Sequence, residues 1–432
     1  ISEEPIAYKD KEALERLNKI ADFFLMHNRE IQVRVDDSVV RVAKGKSLII
    51  RRARGYAPQP IILKTKVKKN VLAVGGHLKN TFCLLRDDKA IVSHHIGDLE
   101  NLEALSAFEE GIKHYSKIFY FTPELIACDL HPNYASTSFA RNYARENSLP
   151  LVPVQHHHAH IASLLAEKGY EKKVIGVAFD GSGFGTDGSI WGGEFLISDT
   201  KSFRRAAHLR YVSLPGGEMA VKEPWRMALS YLYFIYGERT YELACQLLSG
   251  MVKSKQIKMM IGLISKRINC PLTSSAGRFF DAVSSLLGVR EKVNYEGQAA
   301  IELEMRAEEK AEESYPFSIV EGKEKLIVDT FPVIRAVVEE TKKGEDIKVI
   351  AGRFHFTLSC IILKICKVLR ERYGIEVVAL SGGVFQNMLL LKKTSFLLEK
   401  AGFEVLLHSL VPPNDGGISL GQAVVAYHMQ EG

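Results

Sequence analysis

The spacing of hydrophobic residues changes within the first part of the chain. Residues 9–26, KDKEALERLNKIADFFLM, have apolar residues at helical spacing, which predicts a helix. The stretches IQVRVDDSVVRVA and SLIIRRARGYAP alternate apolar and polar residues, which predicts strands. APQPIILKTKVKKN, with two prolines and a cluster of lysines, is typical of a linker. We therefore predict a first lobe over residues 1–60, a linker over 61–70 and a domain boundary near residue 70.

Beyond residue 70, a pattern of strand, tight turn and strand occurs twice. VLAVGGHLKNTFCLLRDDKAIVSHHIG predicts three strands with turns at GGHLKN and RDDK, followed by a helix. VIGVAFDGSGFGTDGSIWGGEFLIS predicts two strands around a Gly-rich turn, and helical segments follow. Two such openings indicate a duplicated α/β unit with a cleft between its halves. We predict lobes at about 71–173 and 174–432.

Composition indicates an ordinary globular protein with room for two or three domains. The 432 residues are 46% hydrophobic and 25% charged. We expect no membrane association, because no apolar run approaches the roughly 18 residues that a membrane span needs. The first residues, ISEEPIAYKD, do not resemble a signal peptide, so we expect a cytoplasmic location. The six cysteines are scattered, which favours reduced thiols over disulfides or a Cys-based zinc site.

The net charge of +6 is unevenly distributed. Residues 1–70 hold 16 Lys and Arg against 9 Asp and Glu, which leaves 41 against 42 in the remainder. A protein that grips a long nucleic acid would more often spread its positive charge over a face, so we expect no nucleic-acid partner. A local anionic ligand explains the basic first segment, and a simple solubilising role explains it equally well.

Four of the fourteen histidines lie within five positions of the stretch QHHHAHIASLLAEKG. His156 and His160 are four residues apart at the start of a predicted helix, so their rings can share a metal ion. A solvated polar turn or satisfied core histidines are the alternatives. His157 and His158 point elsewhere and are expected around the ligands or facing a substrate.

Two histidines do not complete a metal site, so a further ligand must come from elsewhere in the chain. Asp415 in VPPNDGGISLGQ is the best candidate, since it lies in a Pro- and Gly-rich turn directly before a predicted helix. An ordinary helix N-cap is the alternative for this aspartate.

Three Gly-rich turns follow predicted strands: GGHLKN with Lys79, DGSGFGTDG with Asp180, and SGGVFQN with Asn387. Backbone amides in such turns can bind phosphate oxygens, and a lysine adds a positive charge. None matches the Walker or the Rossmann pattern. Their number in a duplicated α/β domain favours a nucleotide cleft over hairpin turns without a ligand. Asp180 could orient phosphate-bound Mg²⁺.

The first lobe offers a second group of anion ligands. RVDDSVVRV and RRARGYAP place Arg34, Arg41, Arg51, Arg52 and Arg54 on or beside strands, with Asp36, Asp37 and Ser38 among them. Converging arginines suit a bidentate grip on phosphate or carboxylate. Charged faces of edge strands are an equally good explanation.

Taken together, the motifs resemble the HypF family of carbamoyltransferases, which act in the maturation of nickel–iron hydrogenases. The resemblance covers essentially the whole chain and rests on motifs in the same order: MHNREIQVRVDDSVVR, RRARGYAP, GHLKNTFC, HHHAH, LPGG, SSAGRFFDAV, YEGQAA, SGGVFQN and DGGISLGQ. The last part also resembles the enzyme that makes threonylcarbamoyl-adenosine on tRNA and the small-molecule O-carbamoyltransferases. The family's acylphosphatase domain, zinc fingers and most of its YrdC-like domain have no counterpart in these residues.

The resemblance implies an α/β fold in which the end of a YrdC-like domain precedes a duplicated actin/Hsp70-like, ribonuclease-H-like, two-lobed domain. It implies that carbamoyl phosphate and ATP, with Mg²⁺, give carbamoyl-adenylate. The carbamoyl group would then pass to the C-terminal Cys thiol of the partner protein HypE.

The resemblance also implies site residues. The first lobe would bind carbamoyl-adenylate or phosphate through Arg34, Asp36, Ser38, Arg41 and Arg52. A divalent metal, iron or zinc without distinction, would be held by His156, His160 and Asp415. The nucleotide-binding site would be lined by Lys79, Asp180, Gly181, Gly183, Asp281, Glu296, Gly382, Gly383 and Asn387. The catalytic residues would be His156, His160, Lys79 and Asp180.

Three rival functions fit parts of the pattern. A tRNA or small-molecule carbamoyltransferase shares the motifs of the second domain, but a tRNA enzyme needs a broad basic surface. A nucleotide-binding switch module would have the cleft without transfer chemistry. A sugar-kinase-like phosphotransferase would have no use for His156 and His160 as metal ligands.

Overall fold

The computed structural model describes residues 6–43, 45–248, 252–322 and 324–431. Residues 1–5, where the predicted first lobe begins, lie outside the described residues. The described part of that lobe contains helix α1 (Asp10–Leu17) and the antiparallel hairpin of β1 (Val39–Ala43) and β2 (Lys46–Arg51). The predicted helix and the predicted strands are therefore present, although the helix and both strands are shorter than the sequence patterns.

The described residues of the next segment form a four-stranded mixed sheet in the order β4-β3-β5-β6. Its strands are β3 (Ile61–Ala73), β4 (Cys83–Val92), β5 (Leu125–Asp129) and β6 (Leu151–Val154). Two helices cover one face through a shared apolar cluster, and they are α2 (Leu102–Ile118) and α3 (Ala135–Glu146). This sheet and its helices form the first half of the predicted two-lobed unit.

A second sheet of nine strands is built from the described residues after 173. Its main path runs β12-β13-β9-β8-β7-β14-β15, with β10 and β11 attached beside β8. The strands are β7 (Val174–Phe184), β8 (Ile190–Ser198), β9 (Phe203–Leu209), β10 (Val212–Ser213), β11 (Leu272–Thr273), β12 (Ser318–Glu321), β13 (Leu326–Asp329), β14 (Val377–Ser381) and β15 (Glu404–Leu406).

Helices pack around this second sheet and supply the largest apolar cluster. They are α5 (Met219–Lys222), α6 (Trp225–Tyr236), α7 (Thr240–Leu247), α8 (Ser254–Lys266), α9 (Ala276–Leu286), α10 (Gln298–Arg306), α11 (Phe331–Lys343), α12 (Ile347–Tyr373) and α13 (Met388–Lys400). Short 3₁₀ turns occur at Gly237–Arg239, Gly383–Gln386 and Asp415–Gly417.

Helix α4 (His156–Lys168) lies between the two sheets. It packs against β3 of the first sheet, against β7, β8 and β14 of the second, and against α14 (Ile418–Glu431). Residues 156–166 are all buried. A helix enclosed in this way carries its polar side chains into the interior, where each needs a partner.

The last helix, α14, returns to the first sheet. Its apolar residues share one cluster with those of β3, β4 and α4. The predicted domain bounds stay a prediction, but the packing of α14 shows that residues distant in the chain complete the core of the first lobe.

Two segments differ from the sequence prediction. Residues 61–70 were expected to be a linker and lie in β3, because Ile61, Leu63 and Val67 face the core while the lysines between them point outward. RDDK was expected to be a turn and lies within β4, where pairing with β3 shifts register. The many charged residues in both segments led to the predictions of a linker and a turn. A half-buried strand, however, needs apolar residues on one face only.

We expected no segment long and apolar enough to span a membrane, but α12 meets both criteria by length and composition. It is 27 residues long, and its most apolar 18-residue window has a mean hydropathy of 1.6. Buried residues make up 67% of that window, as in the core helix of a globular protein. Its apolar residues belong to the main cluster around the second sheet.

The crossing of α4 and α14 depends on the absence of a side chain at Gly421. A Cβ on Gly421 would lie 1.9 Å from the backbone oxygen of Ala159, and backbone atoms cannot move aside as a side chain can. We expect Gly421→Ala to destabilise the protein by about 1–3 kcal/mol or more, as overpacking does. A thermal unfolding midpoint several degrees lower would show this.

Gly262→Ala is the matched control, because Gly262 lies inside α8 and a Cβ added there would meet no neighbouring atom within 4 Å. Alanine is the better helix former, so this variant is expected to unfold at the same or a higher temperature. Equal midpoints for both variants would contradict the close helix crossing.

Candidate functional site

The start of α4 places two histidines at the junction of the sheets. The helix begins directly after β6, and Gln155 caps it by accepting a hydrogen bond from the His158 amide. The Gln155 amide group also donates to the carbonyl of Phe184 on β7. His156 and His160 thus lie one turn apart on one face of α4, as the sequence predicted.

Two aspartates from distant segments meet these histidines. The Nε2 atom of His156 lies 3.5 Å from Oδ2 of Asp180 and 3.8 Å from Oδ1 of Asp415. The Nε2 atom of His160 lies 3.7 Å from each of the same two oxygens. The ligand atoms of all four residues lie within 4.8 Å of one another. This set is called the four-residue cluster below.

The two imidazoles present unpaired nitrogens to the cluster. Nε2 of His156 and Nε2 of His160 are both buried and have no hydrogen-bond partner. A buried polar atom without a partner is costly, so a ligand for these nitrogens is expected. Two imidazole nitrogens and two carboxylate oxygens are a donor set that suits a divalent metal ion.

Asp129, which sequence reasoning missed, fixes the orientation of His156. It ends β5, and its Oδ2 lies 2.8 Å from Nδ1 of the fully buried His156. A carboxylate on Nδ1 leaves Nε2 directed at the cluster, which is the usual arrangement around a metal-binding histidine. The only sequence signal for this residue was an aspartate at the end of the apolar strand LIACD.

The charges within the cluster shift the pKa values of its members. Burial opposes protonation of His156, but Asp129 and Asp415 outweigh it and raise its pKa well above the ordinary value. Burial also opposes ionisation of Asp180, yet the adjacent imidazoles of His156 and His160 favour its ionised form and hold its pKa well below the ordinary value. The site therefore concentrates negative charge that a cation can neutralise.

The other two histidines of the motif do not join the cluster. Nε2 of His158 lies 2.8 Å from the carbonyl oxygen of Asp199. His157 lies beside the Trp191 ring and 3.2 Å from the Gln155 side chain, and burial lowers its pKa. Both positions agree with the expectation that these residues surround the ligands.

Neighbouring turns hold the two aspartates in place. Oδ1 of Asp180 accepts a hydrogen bond of 2.9 Å from the Gly383 amide, so the SGGVFQN turn positions this carboxylate. Asp415 stands at the start of a 3₁₀ turn whose capping bond is made by the Asn414 side chain to the Gly416 amide. The alternative that Asp415 serves as the N-cap therefore does not describe this turn.

A cavity of about 600 Å³ opens beside the four-residue cluster, with Asp180 in its wall. Its lining comes from the β1–β2 hairpin region, the first sheet and the second lobe together. Most of the site residues predicted from the sequence line it: Arg34, Asp36, Arg41, Lys79, Asp180, Gly181, Asp281, Glu296, Gly383 and Asn387. The tertiary structure thus brings the first-lobe residues and the candidate nucleotide residues to one chamber.

Apart from His156, His160 and Asp415 of the four-residue cluster, four predicted residues are not part of the described lining: Ser38, Arg52, Gly183 and Gly382. The buried Arg52 guanidinium donates to the carbonyls of Val92, Tyr56 and Gln59 and so joins the first lobe to the first sheet. The Ser38 hydroxyl accepts from the Ala53 amide and donates to the carbonyl of Arg54. Both polar groups are therefore engaged by backbone instead of facing the cavity.

The two glycines matter for close packing. A Cβ on Gly183 would lie 2.6 Å from ring atoms of both His156 and His157, so this position lets the β7 backbone reach the histidines. Gly382 has a φ of +103°, and a Cβ there would meet the Phe179 carbonyl oxygen at 2.2 Å. Their contribution to the site is the shape of the backbone.

Several lining residues are paired with one another. Lys79 forms an ion pair with Glu296 across the cleft, and Arg51 lies 2.5 Å from Asp36. Arg41 donates to the Gln386 carbonyl at 3.1 Å, which ties the β1–β2 hairpin to the second lobe.

Asp281 and Asn387 also have internal partners. Asp281 accepts from Arg278 at 2.6 Å, while burial raises the Asp281 pKa. Asn387 caps α13 by accepting from the Leu390 amide, and its amide nitrogen lies 2.9 Å from Nε2 of His355. Sequence reasoning also missed the lining residues His95, Arg278, Tyr295 and Glu304. Of these, Arg278 and Tyr295 stand within motifs already noted, SSAGRFFDAV and YEGQAA.

Family models match three successive parts of the chain. Residues 1–53 match a Sua5, YciO and YrdC model described as telomere recombination. Residues 66–167 match the HypF Kae1-like domain. Residues 176–422 match the second subdomain of the carbamoyltransferase Kae1-like domain.

Relatives with assigned names match along nearly the whole chain. Carbamoyltransferase HypF of Synechocystis sp. is 42% identical over 435 residues, covering 97% of this chain and 55% of the relative. The probable carbamoyltransferase HypF of Methanocaldococcus jannaschii is 34% identical and covers 99% and 55%. A shorter carbamoyltransferase HypF homolog of Cupriavidus necator is 36% identical and covers 82% of this chain and 91% of the relative. The chain thus spans about half the length of the first two.

Solved structures of HypF have the same fold. A full-length HypF in a phosphate- and nucleotide-bound form superposes with a TM-score of 0.94 at 46% identity, covering all of this chain and 67% of that one. HypF of T. kodakarensis superposes with a TM-score of 0.90 at 35% identity, covering 99% and 56%. The predicted fold class, a YrdC-like remnant followed by a duplicated two-lobed α/β domain, is confirmed. By its family models, its relatives and its fold, the chain belongs to the HypF carbamoyltransferase family.

Proposed function

We propose that this chain carries the carbamoyl-transfer machinery of an ATP-dependent carbamoyltransferase of hydrogenase maturation. The observation that supports it best is the position of Asp180, which belongs to the four-residue cluster and also lines the cavity shared by both lobes. A metal held at the cluster would therefore adjoin whatever the cavity binds. A nucleotide switch without transfer chemistry has no need of this arrangement.

The cavity suits a nucleotide that carries a transferable group. A volume of about 600 Å³ is within the range of small-molecule sites, and Arg34, Arg41, Arg51 and Lys79 supply positive charge in its wall. We propose that carbamoyl-adenylate, formed from carbamoyl phosphate and ATP with Mg²⁺, occupies this chamber. Forming and using that mixed anhydride in adjoining sites would limit its loss to water.

The cluster would act on the carbamoyl end of such a ligand. A divalent metal, iron or zinc, would supply Lewis acidity to polarise the carbamoyl carbonyl. In this proposal His156, His160, Asp180 and Asp415 hold the ion, and Asp129 keeps the His156 ring in its ligating orientation. Lys79 and the first-lobe arginines would stabilise the negative charge of the AMP leaving group.

The group transfer needs an external thiol. Attack by the acceptor sulfur forms the carbamoyl C–S bond, and the C–O bond to AMP breaks with its electron pair leaving on the phosphate. The thiol proton is released to solvent. Burial raises the pKa of Cys83 and of Cys128 to about 12, so neither is a ready nucleophile. We propose that the acceptor is the C-terminal Cys thiol of HypE.

Transfer of ¹⁴C from carbamoyl phosphate to HypE in the presence of ATP tests the activity. The protein is a longer form that restores the upstream domains of the relatives, and His160→Ala is introduced into it. We expect labelled HypE from the parent and a loss of at least about 100-fold in the variant, because a candidate metal ligand is removed.

The matched control is His158→Gln, since His158 contacts the Asp199 carbonyl instead of the cluster. This variant is expected to retain most of the transfer. Absence of label on HypE with the parent would refute the proposed acceptor, and full activity of His160→Ala would refute the role of the cluster.

Metal content tests the cluster independently of activity. We expect one Zn²⁺ per chain after incubation with zinc and gel filtration, measured by mass spectrometry. Asp415→Asn should weaken Zn²⁺ binding by more than the roughly 10–100-fold that loss of a surrounding partner causes.

Asp199→Asn serves as the control for this measurement, since Asp199 lies near the motif and outside the cluster. Its zinc affinity should equal that of the parent. Unchanged affinity in Asp415→Asn, or no zinc in the parent, would contradict the proposed site.

A further inference from the structure

The buried carboxylate of Glu167 holds the segment that leads to Asp415. Glu167 lies on α4, and its side chain is fully buried. It accepts hydrogen bonds from three consecutive backbone amides, those of Ser409 at 2.7 Å, Leu410 at 3.1 Å and Val411 at 3.0 Å. The Ser409 hydroxyl donates to the same carboxylate at 3.1 Å. One side chain of α4 thus fixes the start of the segment that ends at a candidate metal ligand.

A second series of contacts joins Glu167 to a metal-ligand candidate on its own helix. Nδ1 of His408 lies 3.4 Å from the Glu167 carboxylate, and Nε2 of His408 lies 2.8 Å from the Ser381 hydroxyl. The Ser381 hydroxyl also donates to the backbone carbonyl of His160 at 3.0 Å. The contacts therefore run from Glu167 through β14 to the backbone at His160.

The path of the chain shows how the contacts of Glu167 hold residues 409–415 in place. Glu167 follows His160 by seven residues, about two turns of helix, so both lie on the same side of α4. Residues 409–415 run back along the helix from Glu167 to the cluster. Other polar contacts also hold this segment. The Ser409 hydroxyl accepts from Lys168, and the Pro413 carbonyl accepts from the Gly382 amide. The Asn414 side chain donates to the Ile50 carbonyl and to the side-chain oxygen of Gln386.

The chemistry of Glu167 argues against a role in packing alone. Burial opposes its ionisation, but hydrogen bonding from His408 and the charge of Lys168 lower its pKa to about 2. A buried charge gives little stability over an apolar side chain of similar size, and its value is often in fixing one arrangement. Charge-assisted hydrogen bonds to successive amides fix a loop more firmly than neutral ones.

We infer that Glu167 is a positioning residue for the candidate metal centre, holding residues 409–415 so that the Asp415 carboxylate faces His156 and His160. The inference rests on the proposed function of the four-residue cluster. It predicts that Glu167 influences metal affinity through Asp415, although its carboxylate is not among the ligand atoms of the cluster.

A double-mutant cycle on Zn²⁺ affinity tests the inference in the full chain. The variants are Glu167→Gln, Asp415→Asn and the two combined, with affinity measured by competition against a chromophoric chelator. We expect Glu167→Gln alone to weaken Zn²⁺ binding by about 10-fold or more, as loss of a surrounding partner does. In the Asp415→Asn background the same substitution should have almost no effect, because the group that it positions is gone.

Each other outcome has a distinct meaning. A normal Zn²⁺ affinity in Glu167→Gln beside a weakened Asp415→Asn overturns the inference and leaves the metal site intact. An equal effect of Glu167→Gln in both backgrounds means general destabilisation and also overturns it. An unchanged affinity in Asp415→Asn is a failure of the proposed metal site itself.

Two further variants separate an effect on the metal site from an unspecific effect of substitution or a failure to fold. Glu171→Gln alters an exposed glutamate just beyond the same helix and should bind Zn²⁺ like the parent. If Glu167→Gln does not fold, as judged by circular dichroism without metal, Glu167→Asp retains the charge on a shorter side chain. It should still weaken Zn²⁺ binding and alter the visible absorption of bound Co²⁺, whereas parental affinity and spectrum would overturn the inference.

Discussion

The candidate site depends on the burial of residues 156–166 of α4 between the two sheets. Nε2 of His156 and of His160 is buried, and neither nitrogen has a hydrogen-bond partner in the protein. Asp129 occupies the other nitrogen of His156 and so prevents the ring from turning its free nitrogen elsewhere. A group that carries positive charge and accepts nitrogen ligands satisfies both imidazoles and balances Asp180 and Asp415.

The same burial couples the site to the rest of the fold. α4 is tight against α14 at Gly421, and α14 completes the core of the first sheet. Asp415 begins the turn Asp415–Gly417, which directly precedes α14, so the helix crossing and the position of the aspartate are linked. Glu167 adds a second constraint on the same segment from further along α4.

The cavity gives the first lobe a role beyond that of a separate unit. Arg34 donates to the Ile96 carbonyl in the loop after β4, and Arg41 donates to the Gln386 carbonyl of the second lobe. Arg52, expected as a ligand, is buried at the contact with the first sheet. Arg34 and Arg41 line the chamber, and their remaining donors are the ones that a bound anion can use.

The sequence by itself determined the local elements and the chemistry on them. Helical spacing placed His156 and His160 on one face, and Gly-rich turns after strands marked Lys79, Asp180 and Asn387, because these patterns depend on neighbours in the chain. Only the tertiary structure decided that Asp180 and Asp415 meet the same two rings and that Asp129 orients one of them. It also decided that Arg52 faces a core and not a cavity, and that the lysine-rich segment 61–70 is a strand. Those outcomes depend on contacts between residues up to hundreds of positions apart. The periodicity of a segment does not predict which distant segment will cover its face.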